Sequence, residues 1–94
     1  MSDRLERIRA RLEQALTPLE LSVEDESHLH AGHAGARSGR GHFRARIVAR
    51  AFEGLNLLQR HRLVYEALGE IMQDDIHALR IEALAPAETA RRAG

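Results

Sequence analysis

Phe43-Arg-Ala-Arg-Ile-Val-Ala-Arg50 is the stretch that decides the fold. Apolar side chains occupy every second position from Phe43, and three of the four positions between and after them are arginine. A period of two is typical of a half-buried β-strand, which turns one face to a core and the other to water. The stretch therefore predicts a strand with one apolar and one basic face.

The chain on either side of this strand predicts two more strands and two helices. Residues 19–24 and 79–83 also alternate, whereas residues 5–16 and 57–72 carry apolar side chains at spacings of three and four. Gly54 predicts a turn and Asn56 a helix cap. We therefore predict an α+β fold in the order α-β-β-α-β, with a three-stranded sheet covered by helices on one face. Residues 1–86 form the single domain and residues 87–94 a flexible C-terminal tail.

The uncovered sheet face, called the open face below, is predicted to carry interleaved charges. Its predicted members are Glu20, Glu24, Arg44, Arg46, Arg50, Arg80 and Glu82. Most cross-strand charge pairs contribute only about 0.2–1 kcal/mol each.

Composition excludes several classes of protein. The 14 basic residues, all arginine, balance 14 acidic residues, so net charge does not favour nucleic-acid or membrane binding. The absence of cysteine excludes a disulfide framework, a thiolate nucleophile and a self-sufficient cysteine metal site. No segment has the length of a membrane span, and the amino terminus lacks a signal core. We expect a cytoplasmic protein, monomeric or weakly dimeric when free.

Histidine and glycine are concentrated between Asp25 and His42, a stretch that holds four of the six histidines and four of the seven glycines. Imidazole is a common metal ligand, so this predicted loop is a candidate but incomplete ligand set. A hydrolytic zinc site on His28, His30 and His33 is rejected, because supporting carboxylates and a substrate cleft are missing. The glycines favour flexibility over an anion cradle, because no helix start follows them.

Three motifs are similar to those of the BolA family: Asp25-Glu-Ser-His-Leu-His30; Phe52-Glu-Gly-Leu55 with Gln59-Arg-His-Arg-Leu-Val-Tyr65; and Ile76-His-Ala-Leu-Arg-Ile81. The resemblance covers residues 5–86. It implies a fold like the class II KH domain, in agreement with the order predicted from periodicity.

The resemblance also implies a partner and a cofactor. In this family a monothiol glutaredoxin of the Cys-Gly-Phe-Ser type forms a heterodimer that holds a bridging 2Fe-2S cluster, with sulfur from glutaredoxin and glutathione. By position the family ligands correspond to His77 and, in the loop, His30, with His28 and His33 as substitutes. The implied function is a non-enzymatic adaptor in iron-sulfur cluster trafficking or in iron and redox regulation.

Ligand chemistry is consistent with a shared cluster. Iron-sulfur clusters take mostly thiolate ligands, and this chain supplies only imidazoles, so the thiolates must come from outside. Two imidazoles in place of two thiolates raise the reduction potential, and they make binding sensitive to pH because the ligand must be deprotonated.

A DNA-binding transcriptional regulator is the alternative function. Seven arginines and one glutamate between residues 37 and 62 give a local charge of +6, and Arg44, Arg46 and Arg50 are the candidate phosphate contacts. However, Gly54-Leu-Asn-Leu57 lacks the second glycine of a KH nucleic-acid loop.

Other polar residues of the predicted helix and strands are assigned simpler roles. Arg60, His61 and Arg62 are predicted to shape the partner surface, although His61 also falls on the apolar stripe, where a hydrogen-bonded structural role is the commoner outcome. His42 is predicted to be exposed. No nucleophile and base stand at a recognisable spacing, so we expect no catalytic residues.

Overall fold

The computed structural model describes residues 3–27 and 41–93. The first half of the chain contains α1 (Asp3–Leu16), β1 (Glu20–Asp25), β2 (Gly41–Val48) and a 3-10 turn (Arg50–Phe52). The second half contains α2 (Leu57–Leu68), α3 (Ile71–Asp74), β3 (Ile76–Leu84) and α4 (Pro86–Ala93). The predicted α-β-β-α-β order is confirmed, with α3 and α4 as additional helices.

The three strands form one sheet in the order β1-β2-β3, so β2 is central. β1 pairs with β2 in antiparallel register and β3 pairs with β2 in parallel register. The predicted alternation of β2 is confirmed, because Phe43, Ala45 and Ile47 are each at most 1% exposed. Arg50 is not part of the strand as predicted, because the chain leaves β2 after Val48 and turns through the 3-10 segment.

The helices cover one face of the sheet, which confirms the two-layer, class II KH-like arrangement. Apolar side chains of α1, α2 and α3 pack with those of all three strands in a single core. Its members include Ile8, Leu12, Val23, Phe43, Ala45, Ile47, Val64, Leu68, Ile71 and Ala83. Phe52, from the 3-10 turn, is also fully buried.

The predicted long helix over residues 57–72 is wrong in one respect, because it breaks at Gly69. Gly69 has φ 55° and ψ −127°, a conformation that side chains with a Cβ rarely adopt. Its N–H donates to the Tyr65 carbonyl and ends α2. The chain then resumes as the short α3, which leads directly into β3.

The beginning of α2 follows the prediction. Asn56 and Gln59 form a capping box, in which the Asn56 side chain accepts from Gln59 N at 2.8 Å and Asn56 N donates to the Gln59 side chain at 2.9 Å. Gly54 makes the preceding turn with φ 77°. The apolar stripe begins later than predicted, however, because Leu57 is 66% exposed.

The sequence predicts a flexible tail over residues 87–94, and the structure contains α4 in this segment. Proline is favoured at the first helical position, and Glu88 lies in the first turn, where negative charge is favourable. The Glu88 carboxylate accepts from Ala85 N at 2.7 Å and from the Arg60 guanidinium at 2.6 Å. Sequence periodicity alone did not reveal this contact, since Arg60 is 28 residues away in the chain.

Within residues 3–27 and 41–93, no helix combines the length and the apolar character needed to cross a membrane.

Candidate metal-ligand site

His77 lies at an irregularity near the beginning of β3. Gly41 pairs with Ile76 and His42 pairs with Ala78, so His77 is an extra residue on β3. Ile76 is only 2% exposed and Leu79 also packs on the core, although the two are three positions apart. The extra residue changes the phase of the alternation between them. His77 is therefore exposed, whereas strict alternation with Leu79 would turn it inward.

The described residues on either side of segment 28–40 are held together beside His77. Glu26 N donates to the His42 carbonyl at 2.7 Å, and His42 N donates to Ser27 Oγ at 3.1 Å. Ser27 N in turn donates to the Asp25 carboxylate at 2.9 Å. Both ends of the segment therefore lie at the end of the sheet where β3 begins. The predicted loop ligand His30 and its substitutes His28 and His33 lie outside the described residues.

Gly41 is required by packing, not by flexibility as predicted. A Cβ at this position would lie 2.7 Å from the Phe43 ring and 2.9 Å from Ser27 Oγ. Gly41 N also donates to the Asp75 carbonyl at 3.0 Å, which ties the beginning of β2 to the beginning of β3. The glycine therefore allows the end of β1, the beginning of β2 and the beginning of β3 to approach one another closely.

Asp75 connects the beginning of β3 to α1. Its side chain is only 13% exposed and its carboxylate lies 3.1 Å from Arg7 Nη2 and 3.5 Å from Arg4 Nε. Arginines of α1 thus hold the residue that precedes Ile76 and His77. This ion-pair cluster restrains the backbone from which His77 projects.

His42 is the residue of this site that sequence reasoning missed. It is half-buried, not exposed as predicted, and its ring centroid lies 5.1 Å from that of His77 at an interplanar angle of 54°. Its parity with Arg44 places it on the open face, which was readable from the sequence. Its contact with His77 was not, since it depends on the extra residue in β3.

The possible metal ligands near His77 include imidazole nitrogen atoms but no thiolate. Among the described residues, no group of three or more histidine, cysteine, aspartate or glutamate side chains is arranged to hold a metal ion. The chain has no cysteine. An exposed imidazole on a restrained strand fits a partial contribution to an iron-sulfur cluster, with sulfur ligands supplied by another molecule.

The three residues predicted as a partner surface have different environments. Arg60 is 12% exposed and bonds within the molecule, to the Leu55 and Ala83 carbonyls and to Glu88. His61 is half-buried, and its Nε2 is buried without a hydrogen-bond partner among the described residues, contrary to the predicted hydrogen-bonded role. Arg62 is exposed. Of the three, Arg62 has the side chain most accessible to a partner.

Large apolar side chains lie exposed beside Arg62 on α2. Leu58 is 59% exposed and Tyr65 is 43% exposed, in addition to Leu57. The Tyr65 ring lies 6.5 Å from the His61 ring in an edge arrangement. We call Leu57, Leu58, His61, Arg62 and Tyr65 the α2 surface. Its members His61 and Arg62 were predicted from the sequence, whereas Leu57 was expected on the buried apolar stripe.

The predicted charge interleaving on the open face is confirmed for β1, β2 and β3. Arg46 lies 2.9 Å from the Glu20 carboxylate and 3.6 Å from that of Glu82. The Arg80 guanidinium lies 3.6 Å from Glu26. Arg46 is therefore largely neutralised by its neighbours, which weakens the predicted phosphate-binding patch.

Comparison with known proteins gives consistent matches. A family model described as "BolA-like protein" matches residues 12–88. The chain is 49% identical over 87 residues to "SufE-like protein 1, chloroplastic/mitochondrial" of Arabidopsis thaliana, which is 87% of this chain and 24% of that protein. It is 51% identical over 81 residues to "BolA-like protein 1" of Mus musculus, which is 86% of this chain and 57% of that protein.

A solved structure agrees with these sequence matches. The BolA domain of SufE1 from Arabidopsis thaliana superimposes with a TM-score of 0.82 at 48% identity and covers 94% of this chain and 98% of that chain. The chain thus spans one domain of the SufE-like relative and somewhat over half of the mouse relative.

Proposed function

Because the chain belongs to the BolA-like family, we propose that it is a non-enzymatic adaptor that pairs with a monothiol glutaredoxin and shares ligation of a bridging 2Fe-2S cluster. The observation that carries the proposal is the exposed imidazole of His77, which projects from a restrained backbone. It lies next to the residues that flank segment 28–40, which are hydrogen-bonded to each other. An adaptor of this kind acts in cluster trafficking or in iron and redox regulation.

Chain length supports a second ligand from segment 28–40. An extended chain spans at most about 3.3–3.6 Å per residue, so chain length allows a ligand three residues beyond Ser27 a reach of at most roughly 11 Å, which includes position 30. Chain length also permits His28 and His33. Each of them is a candidate to complete a two-imidazole site with His77.

The residues of this chain would hold and orient one side of the cluster. The ion pairs of Asp75 with Arg4 and Arg7, together with the bond from Gly41 N, restrain the β3 backbone on which His77 stands. When bound, the cluster supplies electron storage at a potential raised by imidazole ligation. Because a metal-bound imidazole nitrogen must be deprotonated, acid is expected to lower the amount of cluster that the heterodimer retains.

The test is anaerobic reconstitution of a 2Fe-2S cluster on a monothiol glutaredoxin with glutathione, with and without this protein. Visible circular dichroism and size exclusion report the cluster environment and the stoichiometry. We expect a changed spectrum on a one-to-one complex, lost in His77→Gln and kept in altered form in His77→Cys, which restores a ligand. A spectrum and elution volume unchanged from those of glutaredoxin alone would overturn the proposal.

The same experiment assigns the loop ligand. His28→Ala, His30→Ala and His33→Ala are measured separately, and the ligand is the position whose loss alters the spectrum as His77→Gln does. We expect this to be His30. No observation specifically favours the alternative of a DNA-binding regulator, since Arg46 is paired with two glutamates and Arg50 lies off the sheet.

A further inference from the structure

Two arginines lie directly opposite each other on the open face. Arg44 of β2 and Arg80 of β3 are register partners, and both side chains are exposed. Like charges directly opposite in a sheet are destabilising. An anion bound between the two guanidinium groups would offset this repulsion.

The neighbouring acids leave this pair incompletely neutralised. Arg80 is 71% exposed, with its nearest carboxylate, that of Glu26, 3.6 Å away. Arg44 makes no ion pair within 4.0 Å among the described residues, although Glu24 is its register partner on β1. By contrast, the adjacent Arg46 is engaged by Glu20 and Glu82. Among the described arginines of the open face, Arg44 and Arg80 are therefore less neutralised by neighbouring carboxylates than Arg46.

The surface between these side chains is concave. One depression of about 230 Å³ is lined by Arg44, Arg80, Ile81 and Glu82. A second, of about 100 Å³, is lined by Ser22, Glu24, Arg44 and Arg46. Arg44 borders both, so a small planar anion can enter the first depression and contact Arg44 and Arg80 together.

We propose that Arg44 and Arg80 form a carboxylate-binding subsite beside the His42 and His77 rings. The strands rise about 3.3 Å per residue, so the arginine pair lies about 7 Å along the sheet from the row that contains His42. Guanidinium groups match the planar geometry of a carboxylate and bind it through paired N–H donors. A ligand whose sulfur reaches the imidazoles can place a carboxylate on the arginines.

The size of the pair favours a carboxylate over a nucleic acid. Proteins that bind duplex DNA commonly neutralise about 6–10 phosphates. Here two arginines are flanked by Glu20, Glu24 and Glu82, so the available positive charge is confined to two guanidinium groups. One or two carboxylates match this limited area.

The carboxylate has two sources, a tripeptide thiol such as glutathione or an acidic side chain of the partner protein. Only the naming of these sources rests on the proposed function. The test therefore uses protein without iron, so that its outcome is independent of cluster ligation by His77.

In the first arm, the free protein is titrated with reduced glutathione and with glutathione diethyl ester, which lacks both carboxylates. The arginine Nε–H resonances are followed by NMR. We expect glutathione to shift the signals of Arg44 and Arg80 and the ester not to shift them. The double variant Arg44→Gln/Arg80→Gln should bind glutathione at least tenfold more weakly, whereas Arg9→Gln, at a partly exposed arginine of α1, should bind normally.

In the second arm, apo-glutaredoxin is titrated without glutathione into the same proteins and into Arg44→Lys/Arg80→Lys. If the partner supplies the carboxylate, the glutamine variant loses at least tenfold in affinity and the lysine variant retains part of it. Loss in either arm supports the subsite and identifies the source.

The proposal is overturned if neither arm distinguishes the glutamine variant from Arg9→Gln, or if a DNA duplex binds through the pair while carboxylates do not. Because both substituted side chains are exposed, the variants are expected to keep their fold, which thermal unfolding verifies. If neither titration shows an effect of the arginine variants but the cluster spectrum depends on His77, only the carboxylate subsite is excluded. If a titration shows that effect but the cluster spectrum does not depend on His77, only the shared cluster is excluded.

Discussion

Gly41 determines how closely the beginnings of β2 and β3 and the end of β1 approach one another. The phenyl ring of Phe43 and the hydroxyl of Ser27 occupy the space that any side chain at residue 41 would need. His42 follows directly, and its backbone bonds to both Glu26 and Ser27. At the scale of single residues, the positions of the His42 and His77 rings therefore depend on the absence of a side chain at residue 41.

Gly41→Ala should lower the free energy of unfolding by about 1–3 kcal/mol, because the added Cβ overlaps a buried aromatic ring. Chemical denaturation measures the change. Phe43→Leu also destabilises the protein, but the double variant should lose less than the sum of the two single losses, because the smaller side chain makes room. Strict additivity of the two effects would contradict the proposed clash.

His77 is exposed because of the extra residue in β3, and its contact with His42 follows from the same irregularity. Under the proposed function, His42→Ala should keep the cluster-containing complex but change its visible circular dichroism, because the His42 ring orients that of His77. His61→Ala, on α2, is not a suitable control because it alters the α2 surface. Glu53→Gln, an exposed polar change outside the site, should leave the spectrum as it is.

Among the elements, α4 is joined to the rest of the molecule by the ion pair between Arg60 and Glu88. The Arg60 guanidinium also donates to the Leu55 and Ala83 carbonyls, so one side chain connects the beginning of α2, the end of β3 and the first turn of α4. Breaking a largely buried, charge-assisted contact is much costlier than losing a surface ion pair.

Arg60→Ala should therefore destabilise the protein by about 2–3 kcal/mol in chemical denaturation, since hydrogen bonds to charged groups are worth about 1.5–3 kcal/mol and two carbonyls are also left without a donor. Arg62→Ala, two residues away and exposed, should change stability by no more than about 0.5 kcal/mol. Equal effects of the two substitutions would show that the contacts of Arg60 are unimportant for folding.

The break between α2 and α3 is fixed by backbone conformation. With φ 55° and ψ −127°, Gly69 occupies a region where other residues are strained by about 1–3 kcal/mol. Gly69→Ala should be destabilising by that amount, and its Cβ would in addition lie 3.3 Å from Arg11 Nη1. If thermal unfolding shows no loss, α2 and α3 can rearrange into one helix.

At the scale of the whole molecule, the described surface combines a charged sheet face with a group of exposed apolar side chains on α2. The α2 surface exposes three large side chains that a monomer does not use for its own core. Exposed apolar groups at a rim of charge are typical of sites for protein partners. Under the proposed function, a glutaredoxin would contact two regions: the end of the sheet that carries His42 and His77, and the α2 surface.

Leu58→Ser should leave the free energy of unfolding within about 0.5 kcal/mol of the wild-type value, because the side chain is 59% exposed. It should weaken binding of apo-glutaredoxin in isothermal titration by at least threefold, because an apolar contact is lost. An exposed leucine of another segment, Leu19 before β1, supplies the matched control in Leu19→Ser. Equal affinity of the two variants would exclude the α2 surface from the interface.

Sequence periodicity predicted the sheet, α1 and the layer arrangement because those elements follow the periods of 2 and 3.6 over many residues. It predicted the α2 cap because Asn56 and Gln59 act locally. It failed at Gly69 and in α4, where a single backbone conformation or a contact 28 residues away decides the structure. At the candidate site, His77 was indicated by the family resemblance and not by periodicity, and neither indicated the approach of His42, which requires the register between β2 and β3.

The parallel pairing of β2 and β3 has a consequence for the order of folding. Ala45 and Ile81 are partners although they are 36 positions apart, whereas the capped helix α2 between them can form from local contacts. Closing a long loop costs conformational entropy before the strand pairing compensates for it, so non-local pairing is slow. Docking of β3 is therefore expected to be the late step, and the two imidazoles come together only when it is complete. Under the proposed function, a nascent chain would therefore complete its sheet before it could bind a cluster, so the metal is not expected to template the fold.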